Sequence, residues 1–288
     1  MKHLALAKPG LQDSSLPHSQ RDPYRWSQIS EERTPAAKFR LRPLPSAFIT
    51  VLLMMWHVAA THQKLHLLPT PLAVAFGIVE LAPRGVLLKY TVASLFRVTW
   101  GFTVAAVLAT PVGLALGSHR RSEMALNPLI QILRPISPLA WIPISILWFG
   151  VGDMSAIFLI FMASFLPLTV TAMNAAACIP SVHVSAARNF GLSYWALIYR
   201  VLLPSVVPQL IIGLRITLGI AWLVVVAAEM IAVNSGLGFL IVDARNAGNR
   251  YDLVIAGMAI IGIVGLLLDT AMRSLEKVKS LRWGYSED

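Results

Sequence analysis

What this sequence lacks first is charge. Only 13% of its 288 residues are charged and 56% are hydrophobic, against about 25% and 45–50% in an average soluble domain. A soluble fold of this length must clothe a large surface in polar groups, so the shortage points to lipid as the solvent. Cysteine is almost absent as well: Cys178 stands alone, which excludes an intrachain disulfide and a cysteine metal cluster. No G-x-x-x-x-G-K-[ST] phosphate loop occurs, so the chain has no evident means of holding ATP, and no H-E-x-x-H, Ser/His/Asp set or paired carboxylates sit where an enzyme would need them. Near Met1 there is no apolar core of about 7–15 residues, so no cleaved signal peptide is expected.

Acidic residues are outnumbered 14 to 24 by lysine and arginine, which gives a formal charge of +10 and a pI near 10.2. In a soluble protein that excess would point to nucleic acid. Here the cations gather before the first apolar run, between later runs and at the C-terminus, the distribution expected of cytoplasmic loops, and nucleic acid is not an expected partner.

What is present is a series of long apolar runs. Residues 1–45 are polar and proline-containing, a cytoplasmic tail preceding a membrane domain over 46–288. Runs over about 47–63, 91–117, 128–150, 154–176, 205–233 and 253–273 predict an all-α integral membrane protein of about six crossings with both termini cytoplasmic, since about 20 residues at 1.5 Å each span the hydrocarbon. Pro69, Pro71, Glu80, Pro83 and Arg84 disfavour a crossing over Leu65–Lys89, which reads as a short interfacial helix. Pro135, Pro138, Pro143 and Pro167 predict kinked or broken helices. Gly101, Ala105, Ala106, Gly113 and Ala115 supply small residues for close helix approach. The stretch from Asn234 to Asp252 is polar and glycine-bearing, suited to an outer loop. His62 and His66 have the i, i+4 spacing of a metal pair but no nearby carboxylate, and read as interfacial residues.

Residues 179–204 are too polar to span and too apolar for a plain loop. Ser181 is a candidate N-cap for a helix that Gly191 would close in the left-handed conformation, and Ser193 would cap a second short helix ending before Pro204. Ala186 and Ala187 give the first helix a low face over which a partner's groove could close.

The spacing Ala186-Ala187, three residues, Gly191, nine residues, Val201, one residue, Leu203-Pro204 resembles the cytoplasmic signature E-A-A-x3-G-x9-I-x-L-P of permease subunits of binding-protein-dependent ABC importers. Leu133 to Pro143, Trp148-Phe149-Gly150, Gly213 to Ile216, Ala227-Ala228-Glu229-Met230 and Gly236-Leu237-Gly238-Phe239 are similar to the branch importing nitrate, sulfonates, taurine, cyanate or bicarbonate. The resemblance runs from about Pro69 to Trp283. It implies a type I ABC importer permease fold, a second permease copy, an extracytoplasmic solute-binding protein and cytoplasmic ABC ATPase subunits that hold the ATP and magnesium. No cofactor is implied on this chain. Ser185, Ala186, Ala187, Arg188, Gly191, Leu203 and Pro204 would couple it to the ATPase. Ser185 stands where the family pattern has glutamate, so this docking helix differs in charge.

Two ionisable residues fall inside the fifth run, at a cost of roughly 2.5–3.5 kcal/mol each on insertion scales. Arg215 and Glu229 lie about 40° apart around a helix axis and about 21 Å apart along it, so they share a face without pairing. Either they line the translocation passage, with Arg215 attracting an anion, or they brace the structure. Arg97 and Arg134 read as snorkelling residues near run ends, and Asp269 with Arg273 as an interfacial i, i+4 pair. The alternative function is a secondary transporter or channel with no ATPase, which the hydropathy alone would permit.

Overall fold

A computed structural model describes residues 44–63, 68–81, 85–118, 120–248 and 250–276. Every regular element among them is helical: α1 (Leu44–His62), α2 (Pro71–Leu81), α3 (Val86–Ser118), α4 (Arg120–Leu133), a 3₁₀ turn (Pro138–Trp141), α5 (Ile142–Phe149), α6 (Asp153–Ala177), α7 (Ser181–Asn189), α8 (Tyr194–Leu197), a π turn (Ile198–Leu202), α9 (Leu203–Ala232), α10 (Leu237–Asn246) and α11 (Tyr251–Glu276). The chain divides into two compact units, residues 1–52 and 53–288. Within the first only 44–52, the first half of α1, is described. Most of the expected tail over 1–45 lies outside the described residues, as do His66, Lys277, Lys279, Arg282 and Trp283.

Among the described residues, four helices are long and apolar enough to cross a membrane: Val86–Ser118, Asp153–Ala177, Tyr199–Ala232 and Tyr251–Ser274. A broken pair, Met124–Leu133 with Pro138–Phe149, passes the same test together but is bent by 81°. The break falls where Pro135 and Pro138 remove successive donors and Ser137 caps the new turn, its Oγ accepting from the Leu139 N–H at 3.3 Å. Six crossings fit if the broken pair counts as one and α1, a shorter apolar helix, as another. Pro167, by contrast, sits inside an uninterrupted α6.

The bundle of residues 53–288 is organised around α3 and α6, its most intimate pair. Without a hydrophobic force between helices already in lipid, such a pair is held by close packing, which needs small side chains. They come in steps of four along α3: Gly101, Ala105, Ala109, Gly113 and Gly117. Ala105 and Ala109 have no exposed surface, and a side chain added at Gly113 would collide with the Thr169 carbonyl and Ala172 Cβ of α6. Two residues expected in this role sit elsewhere: Ala115 is exposed and Ala106 half-buried, because they fall off the four-residue ridge. α9 packs against the other side of α6, with Gly213 over Thr171 and the apolar cluster of Ala156, Leu159, Ala163, Val224 and Ala228 between them.

Two expectations give way here. The presumed outer loop 234–252 contains α10, whose Leu237, Leu240, Ile241 and Ala244 are buried, so the stretch is half interior. Its apolar residues at i, i+3, i+4 and i+7 carry the helix that its glycines and asparagines hide. The second coupling helix does not end before Pro204: α8 passes through the π turn directly into α9. Proline offers no N–H and its ring crowds the carbonyl four residues back, and a widened turn just ahead of it relieves both constraints.

Replacing Gly113 by valine is expected to destabilise the protein by about 1–3 kcal/mol through overpacking, whereas Ala115→Val leaves it near wild type. Thermal melting of the two variants in one detergent measures the difference.

Candidate functional site

Two sites lie at opposite ends of the bundle. At one end, α7 follows the last turn of α6 and, through α8 and the π turn, leads into α9. Its first helical residue is Ser181 but its N-cap is Pro180, so Ser181 is not the cap. The Pro180 carbonyl takes the His183 N–H at 3.1 Å, and a helix begun by the fixed φ of proline, here −59°, needs no hydroxyl to start it. Its C-terminus follows the expectation in detail. Gly191 adopts φ +73°, its N–H reaches the Arg188 carbonyl at 2.9 Å, and Leu192 N–H reaches the Ala187 carbonyl at 3.2 Å. That is a Schellman closure, which needs a residue at ease in the left-handed region.

The closure fixes which way α7 faces. Ala187 is buried at 6% exposure, while Ser185, Ala186 and Arg188 are exposed. Ser193 caps α8, its carbonyl accepting from Leu197 N–H at 2.9 Å and its hydroxyl from Ala196 N–H at 3.4 Å. Leu203 and Pro204 open α9. The seven expected coupling residues therefore lie along one connected segment, α7 to the start of α9.

The other end holds a network that sequence reasoning missed. Arg97 does not snorkel: it is 1% exposed, because α3 begins at Val86 and places it well inside the helix, on the same face as Ser94 and the small-residue ridge. All five of its N–H groups are used. Nη1 donates to Glu229 Oε1 at 2.5 Å and to the Ser235 carbonyl at 2.9 Å; Nη2 donates to Asp153 Oδ1 at 2.7 Å and to Ser235 Oγ at 2.5 Å; Nε donates to Asp153 Oδ1 at 2.9 Å. Glu229, with no exposed surface, also accepts from Ser94 Oγ and from Gly238 N–H, each at 2.9 Å. Leu237 N–H donates to Ser94 Oγ. The carboxylate thus caps the N-terminus of α10, where the helix dipole favours a negative charge. Gly236, at φ +106°, is the residue whose added side chain would strike that carboxylate. These contacts account for the Ala-Ala-Glu-Met and Gly-Leu-Gly-Phe blocks in physical terms. The signal that could have found Arg97 was its register with the ridge.

Arg215 and Glu229 do not pair with each other and have different partners. Glu229 turns to Arg97, whereas Arg215 Nε donates to Asp269 Oδ1 at 2.7 Å, bracing α9 against α11, and Arg273 Nε donates to Asp269 Oδ2 at 2.9 Å. Arg215 keeps a side chain 26% exposed. A third cluster joins α2 to the start of α11: Arg250 Nη2 reaches both Asp252 and Glu80 at 2.7 Å, and these bonds, Asp252 first, make it hold its proton more tightly than an ordinary arginine.

A family model described as "binding-protein-dependent transport system inner membrane component" matches residues 101–280. The chain belongs to that family. This permease is 35% identical to the taurine transport system permease TauC of Escherichia coli over 90% of this chain and 93% of the relative. It is 35% identical to the nitrate import permease NrtB of a Synechocystis strain, covering 81% and 88%, and 34% identical to the bicarbonate transport permease CmpB of Synechococcus elongatus, again over 81% and 88%. It thus falls in the nitrate, sulfonate, taurine and bicarbonate branch of ABC importer permeases. An inward-facing structure of the MetNI methionine ABC transporter superposes with a TM-score of 0.59 at 19% identity, covering 68% of this permease and 97% of that chain, and shows the shared type I fold.

Removing one partner of a buried ion pair leaves the other charge uncompensated, at about 3–5 kcal/mol. Arg97→Met is expected to lower stability by that order, Arg97→Met with Glu229→Gln to recover part of it, and Asp153→Asn, whose side chain is 57% exposed, to cost least. Thermal denaturation of the purified variants ranks them.

Proposed function

We propose that the chain is one of two permease subunits of an ATP-driven importer that takes a compact oxyanion from an external binding protein, with its termini on the cytoplasmic side. The observation that carries this is α7: a nine-residue helix with its small exposed face held rigid by a Schellman closure, at the end of two spanning helices. Ser185, Ala186, Arg188 and Gly191 form the face on which the ATPase docks; Ala187, expected on that face, is instead buried beneath it and seats α7 on the protein, and Leu203 with Pro204 passes the movement into α9. ATP and magnesium reside on that ATPase, and this chain performs no covalent chemistry. The cycle is alternating access, in which ATP-driven closure of the two ATPases moves α7 and opens the bundle outward. Taurine, nitrate and bicarbonate, named for three relatives, share a compact anionic group, and the substrate here has the same character.

Arg215 contributes to the passage: partly exposed, it raises the local potential for an anion while Asp269 and Arg273 fix its position. Glu229, fully buried on Arg97, supports the outer end of the same helix without touching solute.

Co-expression with the ATPase from the neighbouring gene, purification in detergent and assay of ATP turnover with loaded binding protein test the reading. A stable complex whose turnover rises with binding protein is expected. Uptake that persists after Ala186, Ala187 and Gly191 are scrambled, or with no ATPase present, would replace it with a secondary carrier.

Two substitutions probe its parts. Gly191→Val forces a β-branched residue into the left-handed region, a strain of about 1–2 kcal/mol, and is expected to abolish stimulated ATP turnover while the protein still inserts. Arg215→Gln is expected to lower anion uptake roughly tenfold, equivalent to about 1.4 kcal/mol. Unchanged uptake and unchanged stimulated turnover in Arg215→Gln would remove it from the passage.

A further inference from the structure

The face that α7 presents has a composition that specifies what can cover it. Val182, Ala186 and Phe190 recur at i, i+4 and i+8 and form one stripe. Val182 is 72% exposed and Phe190 84%, while Ala187, one position round, is buried against the protein. Phe190 is the C-cap residue, and its N–H is tied to the Ala186 carbonyl at 3.0 Å just before the Gly191 closure. Its backbone is thus fixed before any partner arrives, which limits the ordering cost of binding.

The charge around this stripe has one sign. No aspartate or glutamate occurs anywhere between Asp153 and Glu229. Arg188, two residues before Phe190 and so about 160° round the helix from it, and Arg200 on the π turn are both exposed, and neither takes part in an ion pair among the described residues. Ser185 stands where a glutamate would have placed an acid three residues from Arg188, within reach of it on a helix.

Resting on the reading that α7 is where the ATPase docks, we propose that the ATPase groove fitting this permease has an apolar socket for the Phe190 ring on one wall and, on the opposite wall, carboxylates that pair with Arg188. Acid on the groove is matched to base on the helix, so the missing glutamate sets which ATPase fits. A stripe two turns long with alanine at its centre suits a groove that closes over it. An anionic membrane surface is the other material that would meet an aromatic ring beside arginines, but helices that lie in lipid bury a broader and bulkier apolar face than this one.

The test uses full-length permease in nanodiscs and the ATPase from the neighbouring gene, with the dissociation constant measured at low and high salt for wild type, Phe190→Ala, Arg188→Glu and Ser185→Glu. Phe190→Ala is expected to weaken binding roughly 30-fold, as for a buried aromatic anchor. Arg188→Glu and Ser185→Glu are both expected to weaken it at low salt, the deficit shrinking as salt screens these charges. Thermal transitions should stay at wild type, since all three side chains are exposed.

Wild-type affinity in Phe190→Ala and Arg188→Glu overturns the proposal while leaving the docking reading intact. Tighter binding by Ser185→Glu overturns it in favour of a basic groove. If the substitutions reduce only the protein's binding to phosphatidylglycerol vesicles, with ATPase affinity unmoved, the face is a lipid contact and the proposal falls. Failure of wild type to bind any ATPase removes the docking reading and this inference together.

Discussion

A guanidinium can sit inside a membrane bundle only if every one of its donors finds an acceptor and its charge finds a carboxylate that water does not compete for. Arg97 meets both conditions through Asp153, Glu229 and Ser235. Because those partners belong to α6, α9 and the turn before α10, satisfying one side chain fixes the relative position of four segments. The ridge of small residues below Arg97 on α3 follows the same geometry: once the helix ends are tied, α3 and α6 run in contact down to Gly117, whose added side chain would meet Ala176 near the end of α6. The apolar clusters fill what that frame leaves.

The two ends of the bundle are therefore built from different materials. One is a fully satisfied ionic network, closed by a helix N-terminus and a glycine with no room for a side chain. The other is a chain of short helices joined by a left-handed glycine and a π turn, with exposed arginines and a bare aromatic ring. An ionic network with geometric demands this strict has one good arrangement, whereas the second end, with Val182 and Phe190 exposed, has few buried contacts to lose when it shifts as a unit. On the proposed reading, motion imposed on the second end meets resistance at the first, so the helices between them tilt and do not slide.

How much of this could be read in advance differed by scale. Four long runs were legible because apolar length is itself the signal, and their bounds agree with α3, α6, α9 and α11 to within several residues. The first helix of the coupling segment was legible because proline and glycine punctuate it. α10 was hidden because its polar residues were counted by composition and not by period. Arg97 reads from sequence as a surface residue because the apolar run begins at Thr91, five residues after α3 does, and a charge near the end of a run invites the snorkelling explanation. Glu229 and Arg215 were each recognised as needing a reason, but the reasons lay in residues more than fifty positions away in sequence, Arg97 and Asp269. Periodicity on one helix carries no information about which other helix supplies the counter-charge.

The junction at Pro204 shows how these scales meet. A proline at the second position of a long helix normally marks its beginning, and a chain arriving from a short helix would be expected to turn sharply there. Here the preceding residues widen to the π form, and α8 runs into α9 with no loop between them. α9 then carries Arg215 about 18 Å and Glu229 about 39 Å from Leu203, at 1.5 Å per residue. A continuous helix passes a tilt imposed at one end to the other far better than a loop does. The imino acid that ought to have separated the docking segment from the span is instead accommodated in a turn that joins them, and the charge bracing α9 to α11 and the charge locking the far end ride on the same rod.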